Sequence, residues 1–278
     1  MCEVLSGQRR GNVTAPPAIM QTGRWLWESK RAEWLRKNPG WSYTFFDDDA
    51  AIRYLKDSFG HAHAAAFDSI LPGAIKADFL RLAWLYREGG AFIDLDNRPT
   101  CLRPYAELAD IVLAKSLDEP KCASQIHNAL MLAPRRSPLI GKMLALALQR
   151  VQQRWLEQRL GDQACYGIAD PSLIGLVLKQ AVPKCGPPWL RCRTKYDLHA
   201  CNLRVGQTYA TADGESVAIR MEGSDRATQR DKRRAAMSAS VTNVTRFDAY
   251  ASPCVRGEVY RDAMPKRKRN FKSRASTP

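Results

Sequence analysis

At 278 residues, with 45% apolar content and a formal net charge of +15, the chain is long enough for one sizeable core, or for one domain with an appendage. It contains no run of about 18 apolar residues that would make a spanning helix. Its first ten residues, Met1 to Arg10, lack the apolar stretch of a secretory signal, so a cytoplasmic protein is expected.

The charge is uneven. Residues 226–278 hold fourteen Lys and Arg against four Asp and Glu, which is two thirds of the excess. That end attracts anions: peripheral contact with an anionic membrane is the expectation, and nucleic acid is the less favoured partner. Eight cysteines, at 2, 101, 122, 165, 185, 192, 201 and 254, include no Cys-x2-Cys pair of the kind that binds structural zinc. Reduced thiols are expected, with the group Cys185, Cys192 and Cys201 left open to a metal or disulfide role.

Residues 1–15 are polar and read as a loose N-terminus. After Pro16 and Pro17, Ala18 to Gln21 begins a sheet. Four of the seven tryptophans fall between Trp25 and Trp41, and Ser29 to Lys37 has the composition of a short helix, stopped by Asn38-Pro39-Gly40. Core packing is the commoner task for these tryptophans. Stacking on a nucleotide base is the alternative, with Trp25 nearest the first strand. Ser42 to Phe46 alternates as a second strand. Asp47-Asp48-Asp49 then opens a helix through Phe59, where acidic groups meet free amides and the positive end of the dipole, so the triplet reads as a cap and not a metal site. His61 and His63 read as loop or helix-face residues.

Ile75 to Glu88 is predicted helical, with Ile75, Phe79, Leu82 and Tyr86 as its core-facing stripe. Gly89 and Gly90 stop it, since glycine enters the left-handed conformation without steric cost. Ala91-Phe92-Ile93-Asp94-Leu95-Asp96 is predicted as a strand and Asn97-Arg98-Pro99 as a turn. Further on, Ile111 to Leu113 is a short strand, Ile126 to Ala133 carries Asn128, and Leu139 to Leu160 is the longest helical pattern, ended by Gly161. Pro171 to Gln180 is a helix, and Thr208 to Ile219 is a hairpin about Asp213-Gly214. From about Arg226 periodicity fades. Strands alternating with helices predict an open α/β sheet, whose ligands bind beyond the carboxyl ends of the strands.

On a strand Phe92, Asp94 and Asp96 would point one way, so two carboxylates would share a face. Such a pair repels unless a cation joins it, and a hard divalent ion takes one or two carboxylates and fills its other positions with water and phosphate oxygens. The alternative is a solvated strand end whose carboxylates cap a turn. Asp78 and Arg81, three apart on the preceding helix, share a face, and taken alone they form an ordinary ion pair.

The order Lys76-Ala77-Asp78-Phe79-Leu80-Arg81, helix, Gly89-Gly90, strand, Asp94-x-Asp96 resembles the glycosyltransferases with a DXD sugar-binding region. These include fungal enzymes like the initiating outer-chain mannosyltransferase, bacterial capsule and lipopolysaccharide transferases, and the catalytic domains of large clostridial glucosylating toxins. Three outer blocks add to it: Ala18 to Gly23 with Met20 where histidine is usual, Asn38-Pro39-Gly40-Trp41 through Asp49, and Asn128 with Pro134 and Pro138. Gly167 to Pro171 is a weak copy of another turn. The resemblance covers about residues 16–175.

It implies a GT-A fold, an open and mostly parallel twisted sheet flanked by helices. It also implies a UDP- or GDP-sugar donor, Mn²⁺ or Mg²⁺, and transfer with retention to a polysaccharide, lipid-linked glycan or protein. On this reading Asp96 is the direct metal ligand and Asp94 its partner toward the ribose or the metal. Asp78 and Arg81 hold sugar hydroxyls, while Gln21, Thr22 and Asn128 line the donor site. Phe92 stands where tyrosine is frequent, and after Trp189 the chain has no tryptophan for the family's closing element.

The implied domains are 1–15 as a loose end, 16–225 as the transferase and 226–278 as a basic, partly disordered extension. Two other readings are carried. Phe92 to Asn97 resembles the nucleophile strand of haloacid dehalogenase-type phosphatases, although Arg98-Pro99 does not continue that motif. The basic tail alone would suit a non-enzymatic polyanion- or membrane-binding protein.

Overall fold

The computed structural model describes residues 17–71, 73–116, 126–153, 168–169, 171–182, 192–193, 197–198 and 208–222. The loose N-terminus, Gly161, Gly167, Asp170 and the basic extension from 226 lie outside the described residues.

Strand β1 (Ala18–Thr22) pairs in parallel with both β2 (Ser42–Phe46) and β3 (Gly90–Ile93). Strand β5 (Ile126–Ala133) runs antiparallel to β3 and to β4 (Ile111–Ser116). Strand β9 (Ser216–Glu222) lies parallel to β4 and closes the predicted hairpin with β8 (Thr208–Ala210). The seven-stranded order is β2-β1-β3-β5-β4-β9-β8. Five strands point one way and β5 and β8 the other, so the sheet is mostly parallel, as the alternating pattern predicts. A separate pair joins β6 (Cys192–Arg193) to β7 (Asp197–Leu198).

Alternation along the strands feeds two cores. Met20, Phe92, Leu113 and Met131 face one side. They pack beneath α2 (Asp48–Phe59), α3 (His61–Ser69), α4 (Gly73–Glu88), α6 (Pro138–Gln152) and α7 (Pro171–Ala181). Ile19, Ile93, Val112 and Leu132 face the other, beneath Trp34 of α1 (Glu28–Lys37) and Ala106 of α5 (Arg103–Ala106). With both faces covered, the strands read as apolar runs more than as clean alternation.

Helix α4 departs from its expected single stripe. Every residue from Asp78 to Leu85 is buried, because α4 lies between the sheet and helices α2, α3 and α6. Gly89 and Gly90 hold φ of 69° and 94°, and a side chain at Gly90 would come within 2.5 Å of the Ala18 carbonyl. Helix α6 runs to Gln152, with Gln153 bonded to Gln149, and the rest of the expected helix, 154–160, lies outside the described residues. Asp47 caps α2, accepting from the Ala50 amide at 2.8 Å.

Cys101 is disulfide-bonded, which corrects the expectation of reduced thiols at that position. Disulfides persist in oxidising surroundings, so thiol chemistry lends the cytoplasmic expectation no support. The other cysteine side chains lie outside the described residues. Among the described residues no helix is long and apolar enough to cross a membrane.

Candidate active site

Strand β3 stops at Ile93, not at Asp96. Its neighbour β1 is paired only as far as Phe92. Beyond that the Gln21 side chain takes over from the ladder, donating from Nε2 to the carbonyls of Ile93 and Asp94, each at 3.1 Å. The Asp94 amide makes a last bond to Ala129 O at 2.8 Å, and the chain turns, with the Asn97 amide donating to Asp94 O at 3.0 Å. Asn97 Nδ2 pins the turn to Ala129 O at 2.9 Å. Asp94 and Asp96 therefore do not share a strand face: they occupy a turn, for which Asp and Asn are the suited residues.

Four residues expected at the site, from three elements, meet on the α4 side of this turn. Arg81 Nη2 bonds Asp78 Oδ1 at 2.7 Å and Asp94 Oδ1 at 3.2 Å, while its Nη1 donates to the Asn128 carbonyl. Asn128 Nδ2 also donates to Asp78 Oδ1, at 2.8 Å. The guanidinium lies 4.1 Å from the Phe92 ring centroid, and its Nε reaches Ala77 O at 3.4 Å. Far from an ordinary surface pair, Arg81 and Asp78 are buried, with 3% of the Arg81 side chain open. Burying such a pair is tolerable because further hydrogen bonds, from Arg81 to the Ala77 and Asn128 carbonyls and from Asn128 to Asp78, surround it.

Gln21 is wholly buried, and its Oε1 accepts from Tyr43 OH at 2.7 Å, so both ends of its amide are used in holding the strand end. Thr22 ties β1 to β2 through Oγ1 to Phe46 O, at 2.8 Å, and faces a cleft of roughly 520 Å³. This cleft opens beyond the carboxyl ends of β1 and β2. It is walled by Thr22 to Trp25, by Asp47, Asp48 and Asp49 at the start of α2, and by Leu71, Gly73, Lys76 and Ala77. Asp78, Arg81, Asp94, Asp96 and Asn128 do not line it; Ala77, beside Asp78 in the chain and bonded through its carbonyl to Arg81, is the wall residue that adjoins their cluster. Trp25 stands at its lip with 62% of its surface open, so core packing is not its task, whereas Trp34 is fully buried and fulfils that expectation.

Asp94 keeps 31% of its side chain open, and Asp96 is exposed. Burial pushes the Asp94 carboxyl up to about 6; Arg81 pulls it down, and the charge of Asp96 adds to the rise. Burial, more than the neighbouring charges, is therefore what disfavours the ionised form. Two all-oxygen donors, one open to solvent, fit a hard divalent cation that completes its shell with water and phosphate. Among the described residues no group of three or more His, Cys, Asp and Glu could enclose a metal, so a cation here would depend on its ligand for the remaining positions.

Side chains with no sequence signal also serve the turn. Lys30 Nζ donates to Leu95 O at 2.6 Å, and Asn38 Nδ2 to Thr100 O at 2.8 Å. These contacts cross more than sixty residues and follow no periodicity; the helix over Ser29 to Lys37, its Asn38-Pro39-Gly40 stop and the block from Asn38 to Asp49 are legible, but not the bonds to this turn.

Residues 26–116 match the model of the glycosyltransferase sugar-binding region containing a DXD motif. Among solved structures the chain is similar to the PaToxG glycosyltransferase, at 17% sequence identity and a TM-score of 0.44, covering 62% of this chain and 71% of that one. No curated protein matches the sequence.

Proposed function

We propose that this chain, which carries the sugar-binding region of the DXD glycosyltransferases, transfers a sugar from a nucleoside diphosphate to an acceptor with a divalent cation held at Asp94 and Asp96. The observation that carries the reading is the Asp78–Arg81–Asp94–Asn128 cluster at the end of β3, beside an open cleft at the carboxyl ends of β1 and β2. The GT-A type is supported by the mostly parallel sheet and by the place of that cleft.

A cation bound at the turn, Mn²⁺ or Mg²⁺, would neutralise charge growing on the departing diphosphate. Asp96, the open carboxylate, is assigned as the direct ligand, and Asp94 as its partner toward the cation or the ribose. Arg81 and Asp78 are both enclosed, which favours a role for the pair in holding Asp94 in place over direct contact with the sugar hydroxyls. Asn128 fixes Asp78. Gln21 sets the end of β3, and Thr22 with Trp25 lines the path to the cleft, Trp25 offering its face to the base.

Retention of the anomeric configuration, with the leaving phosphate taking the acceptor proton, belongs to this reading, as does a glycan, lipid-linked or protein acceptor. So does the extent of the domain, 16–225, with 226–278 as a basic extension. The test is a screen of UDP- and GDP-sugars for Mn²⁺-dependent hydrolysis. Turnover with one donor, lost in Asp96→Asn with the fold intact, is the expected result. Equal turnover in that variant overturns the assignment.

A further inference from the structure

Helix α1 buries a single residue, Trp34, which is little to hold ten residues against a sheet. Its polar side chains reach instead to the segment after β3. Lys30 Nζ donates to Leu95 O at 2.6 Å, Lys37 Nζ to Pro99 O at 2.7 Å and Asn38 Nδ2 to Thr100 O at 2.8 Å, and the Leu102 amide donates back to Asn38 Oδ1 at 2.7 Å. Leu95 is the residue between the two carboxylates. The Lys30 ammonium also lies 4.8 Å from the centroid of the Trp27 ring, which supports it from a second direction.

We infer that Lys30 is a positioning residue for the Asp94–Asp96 turn, fixing the carbonyl between the carboxylates so that the turn is preset to grip a cation. The inference rests on the reading of that turn as the cation site. The turn has one backbone bond of its own, Asn97 amide to Asp94 O. Gln21 holds the carbonyl before Leu95, and Lys30 holds that of Leu95 itself. The plane of the Leu95–Asp96 peptide is then set, and with it the direction from which Asp96 leaves the chain. Groups that orient ligands in this way shape affinity nearly as much as the ligands do.

Charge and geometry make opposite demands here. An ammonium beside a cation site repels the cation, so removing it for charge reasons alone would tighten binding. A loss of affinity on removing Lys30 therefore isolates its positioning role. The experiment is a Mn²⁺ titration of the full chain with and without UDP or GDP, against protein-free blanks, followed by the electron paramagnetic resonance of free Mn²⁺, on wild type, Lys30→Met, Lys30→Gln, Lys30→Arg and Lys37→Met. Circular dichroism reports the fold of each.

Lys30→Met is expected to weaken Mn²⁺ binding by about tenfold or more. Lys30→Gln, too short for the same carbonyl, is expected to do likewise and stands in if the first variant does not fold. Lys30→Arg, which keeps charge and donor, restores most of the affinity, and Lys37→Met leaves it unchanged. Binding as tight as wild type, or tighter, in Lys30→Met and Lys30→Gln overturns the inference while the cation site stands. A wild type that binds no Mn²⁺ removes both.

Discussion

Arg81 Nη2 lies 3.2 Å from Asp94 Oδ1 and 2.7 Å from Asp78 Oδ1, so one buried guanidinium joins the middle of α4 to the turn after β3. The two carboxylates come from elements that share no backbone hydrogen bond. The guanidinium between them links them directly, and β5 links them indirectly through Asn128 and Ala129.

Removing that guanidinium should be costly. Arg81→Met leaves Asp78 and Asp94 without their shared partner, and breaking a buried pair from one side costs about 3–5 kcal/mol. Urea unfolding should show the lowered stability. A loss under ~1 kcal/mol would mean that the pair is screened like a surface one.

The Asp94 carboxyl, pushed up to about 6 by burial, sets a pH dependence of definite sign. Its raised value means the folded state holds a proton that the unfolded chain has already released. Its contribution to stability is therefore full below the ordinary carboxylate range and is lost as pH rises through about 6. Cation binding needs the ionised form and runs the other way, so Mn²⁺ affinity should climb through the same window. Calorimetric titrations from pH 5 to 7.5 check this; a flat profile contradicts it.

The two tryptophans separate binding from folding. Trp25→Ala, at an open lip, should leave the melting temperature nearly unchanged while weakening nucleotide binding by about 1–3 kcal/mol, the worth of a stacked base. Trp34→Ala empties a fully buried site and should cost about 3–5 kcal/mol of stability. Fluorescence-monitored unfolding and nucleotide titration read both effects.

Gly90→Ala meets two obstacles. Its φ of 94° lies where side chains are strained, and the new Cβ would come within 2.5 Å of the Ala18 carbonyl. Strain of this kind costs about 1–3 kcal/mol. Because the contact lies at the start of β3, the same variant should loosen β1–β3 pairing, visible as faster hydrogen exchange at the paired amides.

Local chemistry made much of the architecture legible. Ser42 to Phe46 coincides with β2, and Asp213-Gly214 marks the β8–β9 turn. Gly89-Gly90 marks the reversal out of α4. Those signals act over a few residues. The end of β3 escaped because alternation continues through Asp96 while the ladder is replaced by the Gln21 side chain, seventy-odd residues upstream. Arg81 and Asp78 were visible as a pair on a helix, but their burial depends on α4 being covered on all sides, which one helix's periodicity does not reveal. Lys30 gave no signal at all, since a lysine on a polar helix reads as solvated until the carbonyl it binds is known.

The most direct test of the account is equilibrium binding of UDP and GDP to wild type and Asp96→Asn, each with and without Mn²⁺. If the turn grips a cation that grips a diphosphate, Mn²⁺ will tighten binding of one nucleotide by about tenfold or more in the wild type and leave the variant at its metal-free affinity. The same tightening in both proteins would contradict the account, because the cation would then be held without the turn.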